Sequence, residues 1–363
     1  MIPVTKSYLP DREKYFRYID SIYARHWLTN HGPLVQELTR RLEVYLEIEN
    51  LLLVANGTLA LQIAYRALGL CDGKSRAAAI TTPFSFVATT SSLKWEGIEP
   101  IFSDIDPYSW CLDPKQVEAD LSEDIRALVP VHVFGNSCAV EALELIAATH
   151  GLSLIFDGAH AFGVRYRGES LLQHGDATTL SFHATKLFHT IEGGGIIFRR
   201  KEHLERARRM INFGMSVTGE IGDLGINAKM SEFQAAMGLC ILDDIDEIME
   251  KRAELWCHYH SKLNEIVKFQ LTSENCTRNY SYFPVVFESE TMLMKVKSSL
   301  EERDIHARRY FYPSLDDLLY TTPCVRKENS KSISERILCL PLYPEMSLED
   351  SQKVIDVIYR AVK

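Results

Sequence analysis

No apolar run in this 363-residue chain approaches the roughly 18–20 residues that a membrane-spanning helix needs, so no membrane span is expected. The opening residues, Met1-Ile2-Pro3-Val4-Thr5-Lys6, lack the apolar stretch of a secretory signal. An excess of positive charge is missing too: 40 Lys and Arg stand against 49 Asp and Glu, a formal net charge of −9. That excludes the broad basic surface of a nucleic-acid binder. A small anionic ligand stays open, because a few local cations suffice for it. The eight cysteines, at 71, 111, 138, 240, 257, 276, 324 and 339, include no C-x-x-C pair. Zinc and thioredoxin-like readings have no support, no metal is expected, and the thiols read as buried residues of a cytoplasmic protein. Internal repeats and low-complexity linkers are absent as well.

What is present is the composition of a globular protein. Hydrophobic residues make up 46% and charged residues 25%, so disordered, collagenous and coiled-coil classes drop out. The length allows two or three packed units. Up to about residue 200, short β-prone runs alternate with helical patterns. Residues 51–54, 77–81, 100–103, 127–131 and 152–156 read as strands, and residues 59–68 and 139–149 as helices. The strands are continuously apolar, as burial on both faces requires. The pattern predicts an α/β fold, a mostly parallel central sheet with helices on both faces. After Gly195-Ile196-Ile197-Phe198 the chain turns mostly helical, with one long helix predicted over 231–263. Residues 282–287 read as a strand; 291–303, 333–338 and 347–361 read as helices. The expected division is a large α/β domain over 1–240 and a smaller α+β domain over 241–363.

Three short segments carry chemistry. Asn56-Gly57-Thr58 ends a strand and opens a helix, where glycine permits close approach and the first helix amides can hold a phosphate. A plain glycine turn with a threonine cap would look the same. Asp157, in Phe156-Asp157-Gly158-Ala159-His160, stands just past a buried strand, where ligands of open α/β sheets bind. A turn aspartate is the competing reading. Lys186 closes Ser181-Phe182-His183-Ala184-Thr185-Lys186, ahead of Glu192-Gly193-Gly194-Gly195. Most lysines are solvated, but one set among apolar and small residues can be neutral and form a Schiff base. The order is what adds weight: a phosphate turn, an aromatic segment over 83–89, a strand-end Asp, then a Lys about 30 residues on. These are the parts that pyridoxal 5'-phosphate (PLP) needs: a phosphate cradle, a ring stacker, an anion for the pyridinium nitrogen and a Schiff-base lysine.

Together with Trp27-Leu28-Thr29-Asn30-His31-Gly32-Pro33, Asn227-Ala228-Lys229-Met230-Ser231-Glu232 and Leu340-Pro341-Leu342-Tyr343-Pro344, these segments resemble the DegT/StrS-type nucleotide-sugar aminotransferases. The resemblance covers essentially the whole chain. It implies the fold-type I (aspartate aminotransferase-like) PLP architecture. It also implies roles: Lys186 as Schiff-base lysine and proton carrier, Asp157 on the ring nitrogen, Phe86 stacked on the ring, and His160 beside the 3-hydroxyl. Gly57, Thr58 and Ser181 would hold the phosphate, with His183 nearby. Asn227 would reach the phosphate of a partner subunit, which implies a homodimer with shared sites. Lys229, Arg308, Trp27, Thr29 and Tyr312 are the candidates for meeting the diphosphate and sugar. Three departures stand out: His160 where many relatives have Gln, Lys229 where Arg is usual, and Leu187 where Asn is usual.

The reaction implied is transamination, with L-glutamate as donor and a nucleotide-linked keto-sugar as acceptor. The wording of 181–186 and 227–234 most resembles enzymes that aminate dTDP-4-keto-6-deoxy-D-glucose for O-antigen sugars. UDP- or GDP-linked 4-keto sugars and sugar 3-aminotransferases remain alternatives. From other classes, a non-catalytic PLP-binding regulatory protein and a dehydratase remain; an intact Lys186/Asp157 pair argues against the first and retention of Lys186 against the second.

Overall fold

The computed structural model describes residues 1–71, 77–321 and 326–363; Cys324 lies outside them. Two helices, α1 (Arg12–Arg25) and α2 (Pro33–Leu46), precede the sheet. Strands and helices then alternate: β1 (Leu51–Val54), α3 (Gly57–Ala67), β2 (Ala78–Thr81), α4 (Val87–Trp95) and β3 (Glu99–Phe102). After them come α5 (Pro114–Ala119), β4 (Ile125–Val129), α6 (Val140–His150) and β5 (Ser153–Asp157). A two-residue hairpin, β6 (Arg165–Tyr166) and β7 (Glu169–Ser170), leads to β8 (Ala177–Ser181), β9 (Gly194–Phe198) and α7 (Lys201–Met210). The central sheet has seven strands in the order β1-β9-β8-β5-β4-β2-β3. β9 runs antiparallel to β1 and β8; the remaining neighbours are parallel.

Continuous apolar strands arise because each strand feeds two cores. Successive side chains point to opposite faces. Leu51, Leu53, Ile80, Leu154, Phe156 and Ile197 enter one core, where α2, α6 and α8 (Glu232–Asp243) cover the sheet. Leu52, Val54, Ala79, Ile155, Ile196 and Phe198 enter the other, beneath α3 and α7. A third core joins α9 (Ile245–Leu263), β10 (Pro284–Val286), α10 (Glu290–Glu301), β11 (Ile337–Cys339) and α12 (Leu348–Val362). The N-terminus reaches this core, with Ile2 bridging Ile305 and Leu342 N–H donating to the Val4 carbonyl.

Two predicted helices are corrected. The helix over 231–263 breaks at Asp244, whose backbone (φ −104°, ψ 4°) ends α8 and begins α9. The apolar pattern runs on through Ile245 and Ile248, so periodicity alone could not see the break. Asp244 is held instead by Lys14 and the Tyr8 hydroxyl. The helix over 333–338 stops at Arg336, the end of α11 (Glu328–Arg336), and Ile337–Cys339 is a strand paired with β10. Three successive apolar residues fit either period, and here a partner strand decides.

One carboxylate ties distant segments together. Glu232 is fully buried, and its oxygens accept the Leu34 and Val35 N–H groups at 2.9 Å each, capping the first turn of α2. Its own N–H donates to the Leu28 carbonyl. A Cβ on Gly32 would lie 2.6 Å from the Glu232 carboxyl carbon, so glycine makes room for the cap. Glu232→Ala is therefore expected to lower unfolding stability by about 2–3 kcal/mol in urea melts, since hydrogen bonds to a charged group are lost and amides are left buried. A loss below about 0.5 kcal/mol would contradict this role.

Candidate active site

The carboxyl ends of β5 and β8 and the start of α3 surround a cavity of about 270 Å³. Gly57, Thr58, Phe86, Asp157, His160, Ser181, His183, Lys186 and Arg308 all line it. α3 begins here because Asn56, in extended conformation, accepts the Leu59 N–H at 2.9 Å. The first amides of a helix lack internal partners and attract anions. Gly57 also lies against Ser181: a Cβ on it would fall 2.9 Å from the Ser181 Cβ. Helix terminus, Thr58 and Ser181 thus form a cradle of donors of the size and charge for a phosphate group.

Asp157 is the last residue of β5 and is buried. Its two oxygens are held by a hydroxyl and an amide: Thr89 Oγ1 donates at 2.7 Å and the Ala159 N–H at 3.0 Å. Ser85 Oγ stands 3.0 Å behind Thr89, extending the chain of hydroxyls. Burial raises the Asp157 pKa, while Thr89, Ala159 and the Lys186 charge pull the other way. A buried carboxylate held by neutral donors favours a cation beside it, which suits a protonated ring nitrogen. Phe86, just before α4, lines the cavity and is 49% exposed, so its apolar ring is open for stacking.

Lys186 is partly buried at the wall of the cavity. Burial is the largest influence and pushes its pKa down to about 8, outweighing the attraction of Asp157 and of Tyr310. Its Nζ donates to the Tyr282 hydroxyl at 3.2 Å. His160 lies near-parallel to Phe134 and Phe311, at interplanar angles of 9° and 5° and with ring centroids 6.0 and 5.8 Å away, and these two phenylalanines are 5.5 Å from each other. Its Nδ1 accepts the Phe134 N–H at 3.2 Å, so the neutral ring carries its proton on Nε2. Burial first, then Lys186, hold its pKa well below the ordinary histidine value. Nε2–H is therefore a fixed donor across the working pH range. His183 is half-exposed at the cavity wall, with Nδ1 against Thr185 and Nε2 3.6 Å from Glu192.

Five sequence-selected residues lie outside this cavity within one chain. Trp27 is half-exposed and donates its indole N–H to the Thr29 carbonyl. Asn227 is exposed and bridges Asn212. Lys229 donates to Asn212 Oδ1 at 2.8 Å and lines a second cavity with Asn30, His31 and Arg208. The basic pair divides: Arg308 faces the first cavity, 4.5 Å over the Tyr310 ring, whereas Arg309 pairs with Glu290 and lies 3.5 Å over Tyr312. Sequence reasoning passed over Thr89, Ser85 and Tyr282 as site residues, whereas Tyr310 and Phe311 belong to the segment 308–313 that it offered as a candidate for meeting the diphosphate. Thr89 and Ser85 lay inside the aromatic segment already singled out, so their spacing was a usable signal; Tyr282 comes from a distant strand edge and had none.

The cradle predicts a sharp steric effect. Gly57→Ala is expected to weaken PLP binding at least about tenfold by equilibrium titration, while circular dichroism keeps the native melt. Unchanged affinity would contradict the phosphate assignment.

The model of the DegT/DnrJ/EryC1/StrS aminotransferase family matches residues 10–359. The chain is 38% identical over 362 residues to a dTDP-4-amino-4,6-dideoxy-D-glucose transaminase of Shigella dysenteriae, spanning 98% of this chain and 97% of that one. It is 32% identical over 367 residues to the transaminase of the same name from Escherichia coli, spanning 98% of both. Among solved structures, DesI, determined in the presence of its TDP-sugar product, superposes with a TM-score of 0.92 at 31% identity, covering 100% of this chain and 93% of that chain. The mixed, mostly parallel sheet is the fold-type I α/β architecture expected from the sequence. The chain thus belongs to the DegT/DnrJ/EryC1/StrS aminotransferase family and is a PLP-dependent sugar aminotransferase.

Proposed function

We propose that this protein transfers the amino group of L-glutamate to C4 of dTDP-4-keto-6-deoxy-D-glucose, giving dTDP-4-amino-4,6-dideoxy-D-glucose and 2-oxoglutarate for O-antigen sugar synthesis. The observation that carries this reading is the meeting of Lys186, Asp157, Phe86 and the α3 terminus in one cavity, in a chain 38% identical to a transaminase of that name.

PLP, when bound, supplies an electrophilic carbon and an electron-withdrawing ring. Gly57, Thr58 and Ser181 hold its phosphate. Asp157, kept in place by Thr89 and Ala159, stabilises the proton on the ring nitrogen. His160 offers Nε2–H to an oxygen beside it, and its ring is fixed by the Phe134 and Phe311 stack. Lys186 takes the proton from the donor's α-carbon and returns one to the acceptor's carbon. A lysine with an ordinary pKa would be almost wholly protonated near neutrality; at about 8 a useful fraction is neutral. Arg308 offers a fork of donors to an anionic group entering the same cavity.

The shared-site homodimer is part of the proposal. Phe213, Val217, Ile221, Leu224 and Ile226 are all exposed in one short stretch, beside Asn227 and Lys229. An apolar run of this kind suits a second copy of the chain, which would bring Asn227, Trp27 and Thr29 toward the neighbour's cavity. The proposed division near residue 240 is supported by a separate core spanning 255–361.

Three outcomes test this function. With L-glutamate, the holoenzyme is expected to release 2-oxoglutarate and then aminate the dTDP-linked 4-keto sugar in preference to UDP and GDP counterparts, read by mass spectrometry. No glutamate turnover would overturn it. The first half-reaction should quicken as pH rises toward about 8 and then level off, because the depressed Lys186 pKa leaves the amine protonated, about tenfold more per unit, below that point. Asp157→Ala should cut this half-reaction at least about 10²-fold with little change in thermal stability.

A further inference from the structure

We propose that Tyr282 is a positioning residue for the Lys186 amine: its hydroxyl accepts one N–H of Nζ and leaves the lone pair of the neutral amine free for the donor's α-carbon. This rests on the role of Lys186 given above, and goes beyond it by assigning a residue from the far end of the chain.

The geometry is specific. Nζ and the Tyr282 oxygen are 3.2 Å apart, and the Tyr282 ring packs edge-to-face with His160 and Tyr310, at centroid distances of 4.9 and 5.9 Å. The backbone on both sides is fixed. The Ser281 carbonyl accepts from Arg252, a guanidinium buried in the chain and also bonded to the Leu342 carbonyl. The Phe283 carbonyl accepts the Leu340 N–H. A tyrosine anchored this way holds its hydroxyl in one place with little freedom left to lose.

The chemistry fits the position. Burial raises the Tyr282 pKa, so the phenol stays neutral and serves neither as base nor as acid at working pH. A neutral hydroxyl can accept from both the amine and the ammonium, so it holds Nζ throughout proton transfer. The bond to the ammonium is the stronger of the two. Asp157 and Tyr310 also favour the charged lysine, while His160 stays neutral. Arg308, His183 and Glu192 face the same cavity. Removing the hydroxyl alone should therefore shift the balance toward the neutral amine.

The test uses Tyr282→Phe in the full-length chain, which keeps the ring and its packing. First, PLP capture by the chain freed of cofactor is followed by absorbance across pH. The midpoint is expected to fall by about one pH unit while affinity stays within about twofold. Second, in the holoenzyme the L-glutamate half-reaction should lose about tenfold in maximal rate at unchanged half-saturation, since the amine is free to swing away. An unchanged midpoint together with an unchanged maximal rate would overturn the assignment. Should the variant fail to fold, 3,5-difluorotyrosine at position 282 keeps the shape but weakens the acceptor. It should move the midpoint the same way, and no movement would overturn the proposal. A wild-type chain that captures no PLP overturns the functional reading together with this one; normal capture with equal midpoints and equal maximal rates overturns this one alone.

Discussion

Burial sets opposite demands on the two charges that face each other across the cavity. In the proposed reaction Lys186 sheds its proton to act, and Asp157 keeps its charge to hold a cation. Burial favours the neutral form of both. For the lysine that is useful, and its pKa drops to about 8 despite the attraction of Asp157. For the aspartate it is a cost, offset by the Thr89 hydroxyl, the Ala159 amide and the Lys186 charge. The surrounding fold can be understood as the framework that keeps this pair dry, close and unequal.

That framework is the doubly covered sheet. Strands that feed two cores leave their carboxyl ends free for polar side chains, and β5 and β8 deliver Asp157 and Ser181 there. α3 starts at the same edge and points its amides inward. The C-terminal third closes the cavity from the other side with Tyr282, Arg308, Tyr310 and Phe311. Glu232 serves a different purpose, fastening the start of α2 to the start of α8 across about 200 residues of sequence.

Local patterns carried most of this into the sequence. The 51–54 strand matches β1, and the apolar runs at 77–81, 127–131 and 152–156 mark β2, β4 and β5 within two residues. Asp157 and Lys186 were legible because a strand end and a glycine-rich turn bracket them. What stayed hidden depends on long-range partners. Nothing in the apolar pattern marks the break at Asp244, which Tyr8 and Lys14 hold from the N-terminus. Ile337–Cys339 becomes a strand only because β10 lies beside it. The tautomer of His160 depends on an amide 26 residues away, and Tyr282 reaches Lys186 across 96. The spacing of neighbours in sequence says nothing about such contacts.

The central claim is that Lys186 is the residue that carries the cofactor. Borohydride reduction of the PLP-loaded protein, followed by peptide mapping in a mass spectrometer, reads this directly. The account predicts a single phosphopyridoxyl group on the peptide containing Lys186, and its loss when L-glutamate is added before reduction. A stable group on any other lysine, or one on Lys186 that glutamate leaves untouched, would contradict it.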